Sequence, residues 1–98
     1  MLGFIKKLFG PGVDLSEKMS DSAIRLDVRS PGEYAGGHVK GSKNIPLDKI
    51  SKKIETIKKW NKPVITCCAS GMRSSSAASI LKKNGLEAYN AGPWQKAD

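Results

Sequence analysis

Residues 63–74 read Pro63-Val64-Ile65-Thr66-Cys67-Cys68-Ala69-Ser70-Gly71-Met72-Arg73-Ser74. The apolar run up to Cys67 predicts a buried strand, and the pattern from Arg73 to Asn84 predicts a helix. Cys68 therefore lies where the strand ends, and small residues fill the turn before the helix. Backbone N–H groups in such a turn can converge on one point, and the helix start adds partial positive charge. This arrangement stabilises a thiolate and attracts an anion.

Arg73 stands in the first turn of the predicted helix, where the helix dipole disfavours a cation. A functional or bracing role explains that placement, and its guanidinium fork suits an oxyanion. The alternative is that both cysteines are inert, because a free cysteine is often a small buried hydrophobic residue. Adjacent strand residues point to opposite faces, so we expect at most one of Cys67 and Cys68 to face the turn.

Length and composition predict one globular domain, since the chain has 98 residues and ordinary residue usage. The formal net charge is +8, which suits a small anionic substrate. Many lysines lie between Lys49 and Lys62, where we expect a solvated helix face. Aromatic residues are not interleaved with this basic run, so nucleic-acid binding is not expected. We expect a monomer.

The cysteine and histidine content argues against a disulfide and against a metal site. The two cysteines are adjacent, so a disulfide between them would be strained. A single histidine does not complete a metal-ligand set, and we expect no metal and no cofactor. Unpaired thiols suit a reducing compartment, and we expect the protein to be cytoplasmic.

The N-terminal segment is predicted to be an amphipathic leader, residues 1–12, before a domain at residues 13–98. Its apolar side chains share one helical face, and Gly10-Pro11-Gly12 separates it from the domain. It is too short to span a bilayer. We weighed membrane-surface contact by residues 1–10 against a leader that docks on the domain, and we favour docking.

Strand patterns alternate with helical patterns along the domain. This alternation predicts an α/β fold with a central, mostly parallel, five-stranded sheet flanked by helices on both faces. Ser30 is a predicted N-cap and Glu33 closes a capping box with it. Asp48 is predicted to open a helix. The predicted strands are Val13 to Leu15, Ala23 to Val28, Ser42 to Ile45, Val64 to Cys67 and Glu87 to Asn90.

The carboxyl edge of such a sheet is where a site is expected. Asp27, Arg29 and Cys68 all follow strand patterns and should meet at that edge. Asp27 could tune the charge of Cys68 or brace the loop, and we favour a structural ion pair between Asp27 and Arg73.

Four motifs together resemble the single-domain rhodaneses, a family of rhodanese-like sulfurtransferases. The resemblance covers Ala23 to about Trp94. Any one motif alone would be weak, but the combination is specific. The motifs are Asp27-Val28-Arg29, Gly37-His38-Val39-Lys40-Gly41, Asn44-Ile45-Pro46 and Cys68-x4-Arg73-Ser74.

The resemblance implies a single rhodanese-like domain and sulfane-sulfur transfer through a cysteine persulfide. Cys68 matches the nucleophile. The donor would be a small anion such as thiosulfate, and the acceptor would be cyanide or a thiol, either a small thiol or a thioredoxin-like protein. Asp27, Arg29 and Ser74 are expected to support the loop. The expected substrate-binding residues are Ala69, Ser70, Gly71, Met72 and Arg73.

Two positions depart from the pattern of the family. The residue after the nucleophile is often arginine there and is Ala69 here, which leaves Arg73 with more of the anion binding. The family usually carries a Gly-Gly pair before a tryptophan, whereas this chain has Gly92-Pro93-Trp94.

Two other functions remain open from the residues. Counted from Cys67, the spacing Cys-x5-Arg73-Ser74 fits the phosphate loop of a phosphatase or an arsenate reductase. The domain could also be a non-catalytic rhodanese-like interaction module. Identifying the reactive cysteine would distinguish a phosphatase or arsenate reductase from a sulfurtransferase. Formation of a persulfide would distinguish a sulfurtransferase from a non-catalytic module.

Overall fold

The computed structural model describes residues 22–97. The leader and the predicted first strand, Val13 to Leu15, lie outside the described residues. The elements are β1 (Ile24–Asp27), α1 (Pro31–Ala35), β2 (Lys43–Asn44), a first 3-10 helix (Leu47–Lys53), α2 (Ile54–Trp60), β3 (Val64–Cys68), α3 (Met72–Lys83), β4 (Ala88–Pro93) and a second 3-10 helix (Trp94–Ala97).

The described strands form one sheet in the order β2-β1-β3-β4, and every pairing is parallel. The predicted parallel α/β architecture is therefore confirmed. The predicted count of five strands is not, because the described residues supply four strands. The segment expected to add the fifth is Val13 to Leu15, outside the described range. β1 and β3 are central, so their carboxyl ends meet at the middle of one sheet edge, which places Asp27 near the end of β3.

Two hydrophobic clusters form the core, one larger and one smaller. The larger cluster contains buried side chains of β1, β3, α2 and α3, among them Leu26, Ile57 and Leu81. The smaller cluster contains Val39, Cys67 and Ala97, with Trp94 packed against it. Alternate residues of β3 reach different clusters, since Cys68 belongs to the larger one and Cys67 to the smaller.

The predicted helix start is correct for α1 but wrong for α2. The Ser30 side chain accepts a hydrogen bond from the Glu33 amide, and the Glu33 carboxylate accepts one from the Ser30 amide, so the predicted capping box is confirmed. The helix predicted to open at Asp48 is instead a 3-10 helix followed by α2 from Ile54. Ile50, Ile54 and Ile57 still face the core together.

The helix predicted from Arg73 to Asn84 is confirmed as α3, and its buried residues are Ser74, Ala77, Ala78 and Leu81. Small side chains on that face let the helix lie close to β3, whose last residue begins the loop. Within residues 22–97, no helix has the length and apolar character needed to cross a bilayer.

Candidate active site around Cys68

The loop between β3 and α3 turns tightly because of Gly71. β3 ends at Cys68 and α3 begins at Met72. Gly71 has φ of 102°, a left-handed conformation that favours glycine. A Cβ there would lie 3.2 Å from the Cα of Gly92 in β4. Both the conformation and the close approach therefore require glycine, and together they turn the following amides back toward Cys68.

The Cys68 sulfur receives several hydrogen bonds from this loop. The Gly71 amide lies 2.9 Å from Sγ, the Ser74 amide lies 3.4 Å away, and the Ser74 hydroxyl also lies 3.4 Å away. The Cys68 residue has 0% exposure. The loop is thus a cradle of N–H and O–H donors around one buried sulfur, and a group that carries negative charge there is stabilised.

The pKa of the Cys68 thiol reflects two opposed effects. Burial raises it, whereas hydrogen bonds from the Ser74 hydroxyl, the Ser74 amide and the Gly71 amide lower it. The hydrogen bonds outweigh burial, and the pKa lies below the ordinary value. A larger fraction of Cys68 is therefore thiolate near neutral pH than of a free cysteine.

Cys67 has the opposite environment. It is fully buried in the smaller cluster. Burial, assisted by the negative charge of Asp27, raises the pKa of the Cys67 thiol to about 12. A thiol with that pKa is almost entirely protonated near neutral pH and is a poor nucleophile. The expectation that only one cysteine faces the turn agrees with this geometry, and the facing residue is Cys68.

This contrast predicts two very different alkylation profiles. Cys68 should react with iodoacetamide along a pH curve whose midpoint lies below the ~8.5 of free cysteine, because its thiolate persists as pH falls. Cys67 should remain unmodified in the folded protein over the same range. Peptide mass mapping after timed alkylation measures both rates. A midpoint at or above ~8.5 for Cys68 would contradict the role given to the loop amides.

Asn90 supports the loop and was not singled out from the sequence. Its Oδ1 accepts hydrogen bonds from the Ser74 hydroxyl at 2.6 Å and from the Gly92 amide at 2.9 Å. Its Nδ2 donates to the Gly71 carbonyl at 3.3 Å. The Ser74 hydroxyl has one proton, so Asn90 and the Cys68 sulfur compete for it. Only the β3–β4 register, which sets Thr66 opposite Asn90, brings it here.

Asp27 binds Arg29 rather than Arg73, so the expected Asp27–Arg73 pair is wrong. The Asp27 carboxylate accepts from the Arg29 Nε and from an Arg29 terminal nitrogen, the latter at 2.7 Å. The same nitrogen donates to the Gly37 carbonyl, and the guanidinium lies 4.9 Å from the centre of the Trp94 ring. The side chains of Asp27 and Arg29 are 0% and 6% exposed. Through Arg29, this pair connects the end of β1 to Gly37 and to Trp94.

Arg73 pairs instead with Glu33 of α1. Its two terminal nitrogens donate to the two carboxylate oxygens at 2.9 and 3.1 Å, a bidentate geometry. Both side chains are 39% exposed. The positions of the two residues explain why Arg73 does not pair with Asp27. Arg73 projects from the solvent side of α3, whereas Asp27 is buried at the end of β1 beside Arg29.

The structure therefore brings Cys68, Gly71 and Ser74 together in direct contact, with Asp27 and Arg29 as a separate brace. Ala69, Ser70 and Met72 lie exposed on the rim of the loop. An open groove of about 330 Å³ adjoins this rim, lined by Val28, Ser30, Pro46, Leu47, Asp48 and Arg73. A larger depression of about 540 Å³ lies at the opposite end of the sheet, around Lys62 and Gly85, away from Cys68.

Metal binding has no support in the described part of the chain, where no three His, Cys, Asp or Glu residues lie close enough to hold an ion. The chemistry available at the site is that of a stabilised thiolate in a cradle of amides, at the carboxyl edge of a parallel sheet. These features define a parallel α/β protein with a cysteine-centred anion loop.

Known proteins resemble this chain in sequence and in fold. The family model for the rhodanese-like domain matches residues 13–92. The uncharacterized protein YqhL of Bacillus subtilis is 44% identical over 66 residues, 66% of this chain and 52% of that protein. The thiosulfate sulfurtransferase PspE of Escherichia coli is 38% identical over 69 residues, 68% of this chain and 66% of that protein. A solved rhodanese with anions from E. coli matches with a TM-score of 0.69 and 33% identity, over 76% of this chain and 89% of that one.

The chain belongs to the rhodanese-like domain family. It covers about half of the length of YqhL and about two thirds of that of PspE. Relatives with assigned names include thiosulfate sulfurtransferases.

Proposed function

We propose that this protein is a sulfurtransferase in which Cys68 carries the transferred sulfur as a persulfide. The donor is thiosulfate or a related sulfane-sulfur compound, and the acceptor is cyanide or a thiol. The observation that carries the proposal is the cradle of donors from Gly71 and Ser74 around the Cys68 sulfur. Such a cradle stabilises a sulfur anion whether the sulfur is the thiolate or the persulfide.

The first step loads the cysteine. The Cys68 thiolate attacks the outer sulfur of thiosulfate, a new S–S bond forms, and the bond between the outer sulfur and the sulfonate sulfur breaks. Sulfite leaves with the electron pair of that bond. The product is the Cys68 persulfide anion, and the total charge of −3 is the same before and after the step.

The second step unloads it. The thiolate of the acceptor attacks the outer sulfur of the persulfide, the S–S bond to Cys68 breaks, and the Cys68 thiolate is regenerated with its electron pair. The acceptor becomes a persulfide. No electrons enter or leave the pair of reactants, and no cofactor is needed. The same loop donors stabilise the departing thiolate.

The acceptor, the compartment and the assembly follow from this chemistry. A small thiol or a thioredoxin-like protein supplies the attacking thiolate. A reducing compartment such as the cytoplasm suits two unpaired cysteines. We keep the monomer as part of the proposal. We keep residues 1–12 as a leader and residues 13–98 as the domain, and the family model also begins at residue 13.

The two competing functions have less support. A phosphatase or arsenate reductase that uses Cys67 would need a thiolate from a thiol whose pKa is raised to about 12. A non-catalytic module would not need the donors that surround Cys68.

The test is sulfur loading followed by intact mass and peptide mapping. We expect the reduced protein, treated with thiosulfate or with a small alkyl persulfide, to gain one sulfur atom on the peptide that contains residues 67 and 68. Cyanide should remove that sulfur as thiocyanate. If neither donor adds a cyanide-labile sulfur, the proposed function is wrong and the interaction module becomes the better account.

A further inference from the structure

The rim of the Cys68 loop carries little net charge. Ala69, Ser70 and Met72 are exposed on it, and Met72, at 77%, is the one exposed large apolar side chain within residues 22–97. Arg73 is the one cation among residues 68–74. The charge that a sulfur donor encounters at the rim therefore depends on whether another group neutralises Arg73.

Glu33 occupies the guanidinium fork of Arg73. Both terminal nitrogens of Arg73 are engaged with both carboxylate oxygens of Glu33. The hydrogen bond from Arg73, together with the amide of Ser30, lowers the pKa of Glu33 to about 2. Both side chains of the pair are thus charged near neutral pH, and the net charge of the pair is zero.

Glu33 is also fixed from its own side. Its Oε1 accepts from the Ser30 amide at 3.0 Å and from the Ser30 hydroxyl at 3.1 Å, which is the capping box of α1. A donor anion that needs the fork of Arg73 has to displace a carboxylate that is held in place by α1. That displacement costs the donor part of its binding energy.

Arg29 does not replace Arg73 as an anion site. Its guanidinium is buried against the Asp27 carboxylate and donates to the Gly37 carbonyl. Like Arg73, it belongs to a neutral pair. The net charge of +8 on the whole chain attracts anions at a distance, but salt screens that field.

We propose that Glu33 is a specificity-determining residue that neutralises Arg73, so that the loop selects against dianionic donors such as thiosulfate and favours a persulfide carried on an uncharged or apolar group. This inference rests on the proposed sulfur transfer through Cys68. Met72 and the apolar wall of the adjoining groove, formed by Val28 and Leu47, give such a carrier surface to contact.

The favoured loading step is balanced without a further reactant. The Cys68 thiolate attacks the terminal sulfur of a persulfide R–S–SH, and the new S–S bond forms as the bond to the inner sulfur breaks. R–S⁻ leaves with the electron pair, and the terminal sulfur keeps its proton or loses it to water. One negative charge is present before and after the step when the proton is kept. The amides around Cys68 then stabilise a total charge of −1, whereas the step with thiosulfate carries a total charge of −3.

The test compares two donors in wild type and in Glu33→Gln. The donors are thiosulfate and hydroxyethyl persulfide, whose only ionisable group is its terminal sulfur. Glutamine at residue 33 can keep the capping box but carries no charge. We expect wild type to load faster from the persulfide. We expect Glu33→Gln to raise the second-order loading rate from thiosulfate about threefold to tenfold at low salt, and the rate from the persulfide by less than twofold.

Two further variants separate charge from loop motion. Ala69→Arg adds a cation to the rim while the Arg73–Glu33 pair stays intact, and it should also favour thiosulfate. Glu55→Gln removes a carboxylate on α2 that pairs with Lys58, and it should leave the ratio of the two donor rates unchanged. The thiosulfate gain in Glu33→Gln and in Ala69→Arg should shrink in 0.5 M NaCl, where the screening length falls to roughly 4 Å.

Several outcomes would overturn the proposal. One is a wild-type protein that loads from thiosulfate as fast as from the persulfide. Another is a Glu33→Gln variant that speeds both donors equally, which would make the pair a latch on the loop rather than a charge filter. A third is a Glu33→Gln variant in which neither donor rate changes. Each of these leaves a persulfide on Cys68, so it is distinct from failure of the proposed function, in which neither donor loads the protein.

Discussion

The Cys68→Ser variant is expected to gain no sulfur from either donor and to lose turnover by about a thousandfold or more, because no other described side chain lies in the cradle of loop donors. The serine hydroxyl can accept the hydrogen bonds that Gly71 and Ser74 give to Sγ, so the fold should persist. Intact mass after loading measures the first effect, and steady-state release of thiocyanate or sulfite measures the second.

The matched control is Cys67→Ala, which removes the other thiol and adds no hydroxyl to the apolar cluster around Val39 and Ala97. It should still gain one sulfur and should keep turnover within a few-fold of wild type. The reverse pattern, with a labile sulfur on Cys68→Ser and none on Cys67→Ala, would move the nucleophile to Cys67 and revive the longer loop that runs from Cys67 to Arg73.

The Asp27→Asn variant should lower the free energy of unfolding by roughly 3–5 kcal/mol. The change is nearly isosteric, but it leaves the buried Arg29 guanidinium without its carboxylate. Asparagine accepts through one oxygen where aspartate now accepts from Nε and from a terminal nitrogen. Urea unfolding followed by circular dichroism, with the midpoint and the slope fitted separately, measures the loss.

Glu55→Gln on α2 serves as the comparison, since its carboxylate is exposed and lies 3.8 Å from Lys58. It should change stability by less than about 0.5 kcal/mol. The Asp27–Arg29 pair would not be a structural brace if Asp27→Asn unfolded within about 1 kcal/mol of wild type. A double-mutant cycle with Arg29→Met then gives the coupling between the two side chains.

Local signals in the sequence were sufficient for the turn around Cys68, for the start of α1 and for the buried face of α3. The Ser30-Pro31-Gly32-Glu33 run specifies its capping box within four residues. The spacing of small residues along α3 specifies its buried face. The alternation of β3 separates Cys67 from Cys68. Each of these features depends on neighbours in the chain, so the sequence pattern contains the necessary information.

Pairings across the fold were not accessible in the same way. Arg73 and Glu33 are 40 residues apart, and either could have paired with several charged residues. Asp27 pairs with a residue only two positions away, but that contact requires the backbone after β1 to turn so that Arg29 folds back. Nothing in the spacing of the charges distinguishes these geometries, because surface charge pairing is set by tertiary position.

The position of Asn90 depends on the pairing of β4 with β3. The β3–β4 pairing shifts register between Thr66 and Cys67, so Thr66 lies opposite Asn90 but Cys67 lies opposite Gly92. Asn90 is therefore the last β4 residue before this shift. The contacts of Asn90 with Ser74 and Gly71 depend on that local strand geometry, which no periodic pattern in residues 87–94 announces.

Because the two adjacent thiols lie in different clusters, the reactivity of Cys67 can be used to measure conformational opening. In a Cys68→Ser background, a thiol reagent can modify Cys67 only when the smaller cluster around it opens. When closing outpaces labelling, the labelling rate gives the free energy of that opening. Dependence of that rate on urea then tells whether the cluster opens alone or only with the whole domain. Cys67, which the proposed mechanism does not use, thus reports on the opening of the sheet behind Cys68.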